Sequence, residues 1–135
     1  MSHLLDTNSL IDHLRRGPAS NVTARLAAAQ PGSVYLCSVV LAELFYGAMH
    51  SGAAYQAANL ALIARLRQQF VSLPFDDRAA EEYGKVREHL AALGTPIGPN
   101  DLMIAAIALA NQLTLVTHNT TEFSRVPGLA LEDWQ

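Results

Sequence analysis

The stretch HLLDTNSLIDHL, residues 3–14, sets an apolar pair, Leu4 and Leu5, directly before a carboxylate, Asp6. A run with apolar residues at helical spacing follows at once. A charge just past a buried strand is costly unless a partner or a function requires it there. SHLLD reads as a short buried strand, and TNSLIDHLRRG as a helix stopped by Gly17 and Pro18. The stretch is therefore a strand-to-helix transition with an acid at its corner.

The same alternation recurs outward from it. ASNVTARLAAAQ has helical spacing and ends at Pro31 and Gly32. SVYLCS is β-branched and aromatic, hence a strand, and SVVLAELFYGAMH after it reads as a helix with Ser38 as candidate N-cap. AAYQAANLALIARLRQQF predicts a longer helix with Leu60, Ile63, Leu66 and Phe70 along one face. FVSLPF is a strand, and Asp76 can cap the helix DRAAEEYGKVREHLAAL, which Gly94 ends. Beyond the loop GTPIGPN, DLMIAAIALANQ predicts a buried helix begun by Asp101. LTLVTH is a strand, TTEFSRV a helical turn and LALED a last edge strand. With no repeat or linker in sight, residues 1–135 predict a single α/β domain. Its sheet is expected to be mostly parallel, with helices on both faces and right-handed crossovers.

Half of the 135 residues are hydrophobic and 16% are charged, enough apolar material for a core. One cysteine, Cys37, excludes an intrachain disulfide and reads as a small buried thiol in SVYLCSVV. No Cys/Cys or Cys/His pair offers a zinc site. MSHLLD lacks the basic start and apolar region of a signal peptide, and the longest apolar run, residues 102–110, is too short to span a bilayer. No membrane association is expected, and the cytoplasm is the expected compartment. Net charge is −3, and Lys85 is the only lysine beside eight arginines. An acidic chain does not advertise a nucleic-acid binder, unless its acids are gathered in one place.

They can be. In an open parallel sheet, ligands bind beyond the carboxyl ends of the strands, near the switch in strand order. Asp6 ends the first strand, Glu43 lies on the helix after the second, and Asp101 starts a helix after a Gly/Pro-rich loop. Asn119 and Glu122 follow the strand LTLVT. Asp6 or Thr7 can equally be a helix cap, and Asp101 can simply favour a helix dipole. Glu43 sits in an apolar run, where an ionised carboxylate needs a partner. Acids gathered without lysines repel, and one tends to protonate unless a divalent cation intervenes. Carboxylates without thiols suit Mg²⁺ or Mn²⁺ rather than zinc. Such a site suits phosphodiester hydrolysis, in which the metal supplies positive charge at the scissile phosphate. Arg15, Arg16 and Arg25 are candidates to hold the flanking backbone, and exposed helix surface is the alternative for each.

LLDTNSLIDHL, SVVLAELFYGA and PNDLMIAAIALANQLTLVTHNTTEFSRVPGLALEDW together resemble the PIN domain, and within it the VapC toxins of bacterial toxin–antitoxin pairs. The likeness runs from residue 4 to residue 134. It implies a PIN-like three-layer α/β/α fold and a Mg²⁺- or Mn²⁺-dependent endoribonuclease that cuts RNA, tRNA or rRNA, and blocks translation. It also implies a cognate VapB-type antitoxin and a homodimer. The family's three acids fall on Asp6, Glu43 and Asp101, with Thr7 and Asn8 beside the first. Many relatives carry a fourth acid, Asp, where this chain has Asn119. Asn119 offers a carbonyl oxygen without charge, and Glu122 is the other candidate for the position. Thr117 is expected to orient that corner, and His118 is a candidate substrate contact. Leu44, Phe45, Tyr46 and Tyr55 exceed what a small core needs, which agrees with a homodimer.

Three other readings compete. A phosphatase of the haloacid dehalogenase type needs an acid two residues after the first and a nearby lysine, but position 8 is Asn and Lys85 lies within a helix. A degenerate site kept for partner binding must explain why all three principal acids are present. A PIN nuclease acting on structured DNA or on ribosomal-RNA maturation usually carries further domains.

Overall fold

The computed structural model describes residues 1–135. Five strands form one sheet in the order β3-β2-β1-β4-β5, and all are parallel. They are β1 (His3–Leu5), β2 (Val34–Cys37), β3 (Val71–Leu73), β4 (Thr114–Val116) and β5 (Leu131–Glu132). Between them run α1 (Thr7–Arg16), α2 (Asn21–Ala28), α3 (Ser38–His50), α4 (Ala53–Gln69), α5 (Asp77–Ala92), α6 (Pro99–Ala110) and α7 (Thr120–Phe123). A short 3₁₀ turn, Gly17–Ala19, joins α1 to α2.

The chain steps outward from β1 through β2 to β3, then jumps back to β4 on the other side of β1. With right-handed crossovers, that reversal puts α1–α4 on one face and α5–α7 on the other. The strand order therefore switches between β1 and β4, whose register pairs Leu5 with Val116. Asp6 and Thr117 are the next residues on each strand, so both emerge at the crevice where α/β sheets bind ligands.

The core explains why β1 is central. Leu4 and Leu5 are fully buried, as are Leu36, Leu115 and Val116 on the neighbouring strands. A strand covered on both faces reads as a continuous apolar run. Helix α6 is buried nearly all round, with Leu102 and Ile104–Ala108 inaccessible, and its alanines let it sit close to the sheet and α5. On α4, Ile63 and Leu66 are buried, while Leu60 and, just past the helix end, Phe70 pack against the core's edge. Cys37 is buried, and that burial pushes its thiol up to about 11, an inert group.

Two boundaries differ from the sequence reading. Ser38 is not an N-cap: Cys37 occupies that position, and the Ser38 hydroxyl donates instead to the Leu73 carbonyl at 3.3 Å. Asp101 does not open its helix, because α6 begins at Pro99, whose fixed φ suits a first helical position. Asp76 does cap α5, accepting from the Ala79 N–H at 3.0 Å. Gly94 has φ +70°, the left-handed conformation that ends α5.

Candidate active site

Asp6 is fixed first. Its N–H donates to the Val116 carbonyl at 3.1 Å, which ties the residue to the end of β4. Its Oδ1 accepts the Ser9 N–H at 2.8 Å, so Asp6 is the N-cap of α1. Ser9, which the sequence reading did not single out, adds a hydroxyl bond to the same Val116 carbonyl at 3.3 Å. The cap and the site are thus one residue. The cap uses a single oxygen, and the residue is 5% exposed, so its carboxylate is held rigidly at the crevice.

Glu43 stands on the second turn of α3, half-buried. The Thr7 hydroxyl donates to its Oε1 at 3.0 Å, a bond from the residue beside Asp6 to the second acid. Asn8, the next residue, is exposed at the cleft. Asp101 lies in the first turn of α6 and is half-buried. Its carboxyl is raised to about 6, first by burial and then by the negative charges of Glu122, Glu43 and Asp6. Four carboxylates from four separate segments therefore share one electrostatic environment, and no cation of the chain offsets them at Asp101.

The fourth corner has a defined internal order. Thr117 is fully buried, and its hydroxyl accepts the Asn119 N–H at 3.0 Å. Asn119 Nδ2 donates to Glu122 Oε2 at 2.7 Å, and the Gly98 N–H donates to Glu122 Oε1 at 3.2 Å. A carboxylate only accepts, so the amide turns its nitrogen to Glu122 and its carbonyl away. Gly98, another residue the sequence did not flag, caps α6 and so ties Glu122 to the helix that carries Asp101. Charge at this corner resides on Glu122, with Asn119 as its brace.

His118 is placed differently. It is exposed, and its Nδ1 meets Asp133 Oδ2 at 2.9 Å, linking it to the C-terminal segment rather than to the carboxylates. It does border a groove with Asn8, Arg15, Arg16 and Asn119. Arg25 is spent elsewhere: it pairs with Glu132 at 3.2 Å and lies over the Trp134 ring at 4.9 Å. That corrects its candidacy as a backbone contact. Leu44 is buried and Phe45 packs on the core, so only Tyr46 and Tyr55 of the four supposed surplus apolar residues face outward.

The donor set fits a hard divalent ion. It offers oxygen only, carries excess negative charge, and shows the strain of that charge in the raised Asp101. No three His, Cys, Asp or Glu side chains lie close enough to enclose an ion by themselves. Mg²⁺ keeps several waters and takes only one or two carboxylates directly, so a loose ring of acids suits it better than it suits zinc.

The PIN domain family model matches residues 3–129. A tRNA(fMet)-specific endonuclease VapC of Shigella flexneri is 42% identical over 134 residues, covering 99% of this chain and 98% of the relative. Ribonuclease VapC2 of Rickettsia felis is 36% identical with the same coverage. Among solved structures, DNA-bound VapBC from Salmonella typhimurium is similar with a TM-score of 0.92 and 35% identity, over 100% of this chain and 99% of that one.

Proposed function

The chain belongs to the PIN domain family, alongside its VapC ribonucleases, and from that premise we propose that it is a Mg²⁺- or Mn²⁺-dependent endoribonuclease toxin held in check by a VapB-type antitoxin. The observation that carries the chemistry is the convergence of Asp6, Glu43, Asp101 and Glu122 at the switch point, registered in the raised Asp101 carboxyl. One or two of Asp6, Glu43, Asp101 and Glu122 would hold the ion directly and the others through its waters, since no three of them close on one point, and Asn119 acts through Glu122. When bound, the ion lowers the pKa of a water and stabilises charge on the phosphoryl oxygens.

The chain's own residues supply the rest. The cap bond from Ser9 fixes Asp6 in one orientation, and Thr7 fixes Glu43. Asp101, its carboxyl raised to about 6 by burial and by the negative charges of Glu122, Glu43 and Asp6, is ionised above that pH and would then be free to face a cation. Asn8 and His118 remain candidate substrate contacts at the cleft mouth. The Shigella relative's name makes tRNA the first substrate to try, and the solved VapBC assembly supports an antitoxin partner. No helix is long and apolar enough to cross a membrane. The exposed Tyr55 on α4 supports a homodimer; a monomeric mass by light scattering at micromolar protein would count against it.

The test is cleavage of total cellular RNA by the purified, antitoxin-free protein with Mg²⁺, Mn²⁺ or EDTA, beside Asp6→Asn. The amide keeps an oxygen for the Ser9 N–H and removes only the charge. Discrete fragments that vanish with EDTA and with Asp6→Asn are expected. Folded, metal-replete protein that cleaves no RNA would overturn the proposal in favour of a partner-binding domain or a DNA substrate.

A further inference from the structure

Two grooves open from the carboxylate crevice on either side of α1. Asn8 and Ile11 line both. One runs along α3 past Thr7, Glu43, Asn100 and Met103 and is walled by Tyr46. The other runs between α1 and the β4–α7 corner, past Arg15, Arg16, His118 and Asn119. They differ in chemistry, and each holds a residue that the fold leaves without work.

Tyr46 is 70% exposed, a large apolar ring turned to solvent. It lies three residues beyond Glu43, so the two share one side of α3. The His50 ring stacks on it at 5.6 Å and 12°. That neighbour braces one face of the ring and leaves the other open. Arg15 is the counterpart in the second groove. Of the two arginines in this groove, Arg16 is engaged by Asp12 and Ala19, whereas Arg15, like Arg65 and Arg67 away on α4, has no hydrogen bond or ion pair. It stands seven residues along α1 from Asn8, about 10 Å at 1.5 Å per residue.

An open aromatic face on α3 and an unpaired guanidinium on α1, which borders both the second groove and the hollow beside Glu43 and Gly47, match an unpaired nucleic-acid strand passing the carboxylates. Bases splayed from a single strand stack on aromatic rings, and their phosphates pair with arginine. Thr7, Asn8 and Asn100 offer hydrogen-bonding groups for base edges and ribose hydroxyls beside the ring. We infer that the chain grips a single-stranded segment of its substrate RNA at two points flanking the scissile phosphate, with a base stacked on Tyr46 and a backbone phosphate on Arg15. This rests on the ribonuclease reading above and adds its binding subsites. Both are positioning residues, distinct from the carboxylates.

The probe is an unstructured single-stranded RNA oligonucleotide carrying one 2-aminopurine, whose fluorescence is quenched by stacking. Mixed with full-length protein bearing Asp6→Asn to prevent cleavage, it should bind with quenching at some label positions. Tyr46→Ala should abolish the quench and weaken binding roughly ten-fold, while Tyr46→Phe retains both. Arg15→Gln should keep the quench at saturation, weaken binding and lower the salt slope by about one phosphate's contribution. In otherwise unaltered protein cleaving RNA, both should raise KM roughly ten-fold and leave kcat within about two-fold. If cleavage proceeds but Tyr46→Ala leaves KM and quench unchanged, the inference is overturned and the ribonuclease reading stands. If Tyr46→Ala instead lowers the oligomeric mass or antitoxin binding with RNA affinity intact, the ring belongs to a protein interface and the inference is likewise overturned. If the unaltered protein neither cleaves nor binds RNA, both readings fall.

Discussion

At the scale of single residues, the site is organised by donors that are not acids. Thr7 holds Glu43, Ser9 holds Asp6, and Asn119 with the Gly98 amide holds Glu122. A hydrogen bond to a charged group is worth more than a neutral one, so each donor decides where a carboxylate points. Thr7→Val keeps the shape and deletes the donor to Glu43. It should cost roughly ten-fold in kcat with little change in stability, as a charged hydrogen bond of about 1.5 kcal/mol implies; unchanged turnover would mean that Glu43 is oriented without Thr7. The two candidates for the fourth position separate in the same way. Glu122→Gln removes a negative charge from the group facing Asp101, whereas Asn119→Ala removes only the brace. Isothermal titration with Mn²⁺ should therefore show a larger loss of affinity for Glu122→Gln. The opposite order would make Asn119 the ligand. The acids themselves were legible in the sequence, since each stands at a strand end or in a helix's opening turns. The donors were not: a serine three residues after an acid is common, and Gly98 acts through a backbone amide that any residue carries.

Among elements, periodicity carried most of the fold. All five strands and seven helices fall where apolar spacing and Gly, Pro and Asp punctuation put them. The failures are local. A serine at the start of a helix predicts a cap, but the Ser38 hydroxyl finds the Leu73 carbonyl on β3 within reach and Cys37 takes the cap position. The part with no local signal is the C-terminal clasp. Trp134 is 4% exposed although it lies beyond the last strand. Its ring packs by His3 at 5.0 Å under the Arg25 guanidinium, and its Nε1–H donates to Glu132 Oε1 at 3.1 Å. His3 and Arg25 also reach Glu132, whose carboxyl is lowered first by the Trp134 and His3 hydrogen bonds. His3 and Arg25 each lie more than one hundred residues from Glu132 and Trp134 along the chain, so no window of sequence shows the two halves together. The clasp holds a two-residue strand, and the Glu132 carbonyl accepts the Thr117 N–H at 2.9 Å. Trp134→Ala should thus destabilise the protein by about 3 kcal/mol, the range for losing a buried large aromatic, and should also loosen the corner that carries Glu122. Urea unfolding monitors the first effect and Mn²⁺ affinity the second. A loss below about 1 kcal/mol would show the tail to be incidental.

For the whole molecule, the carboxylate crevice sets how stability follows pH. Asp101 is raised to about 6 in the folded chain, above the value of about 3.9 for an unfolded aspartate. The folded state therefore holds this proton more tightly. Its contribution is fully present below about pH 4 and is lost as pH rises through about 6. The carboxyl is half-exposed, so solvent screening trims the full shift to roughly 1 kcal/mol, on the order of 3 °C in a domain of this size. His13 works the other way. Burial lowers its pKa despite Asp12 beside it, so its contribution is present above about 6.5, the unfolded value, and is lost as pH falls through the lower folded one. The lowered carboxyls of Asp12, Glu132 and Asp133 also lose their contribution on acidification, so a bare pH profile mixes opposite slopes. Subtracting the profile of Asp101→Asn isolates the crevice, because that variant keeps the other groups and cannot ionise at position 101. Metal-free Asp101→Asn should melt higher than the unaltered chain at pH 7.5, and the difference should vanish by pH 4. Mg²⁺ should then raise the melting temperature of the unaltered chain more at pH 7.5 than at pH 5, since the ion replaces the proton that Asp101 has released, and should do little for the variant. Equal Mg²⁺ shifts at the two pH values, or a variant no more stable than its parent at pH 7.5, would show that the four carboxylates do not act as one site.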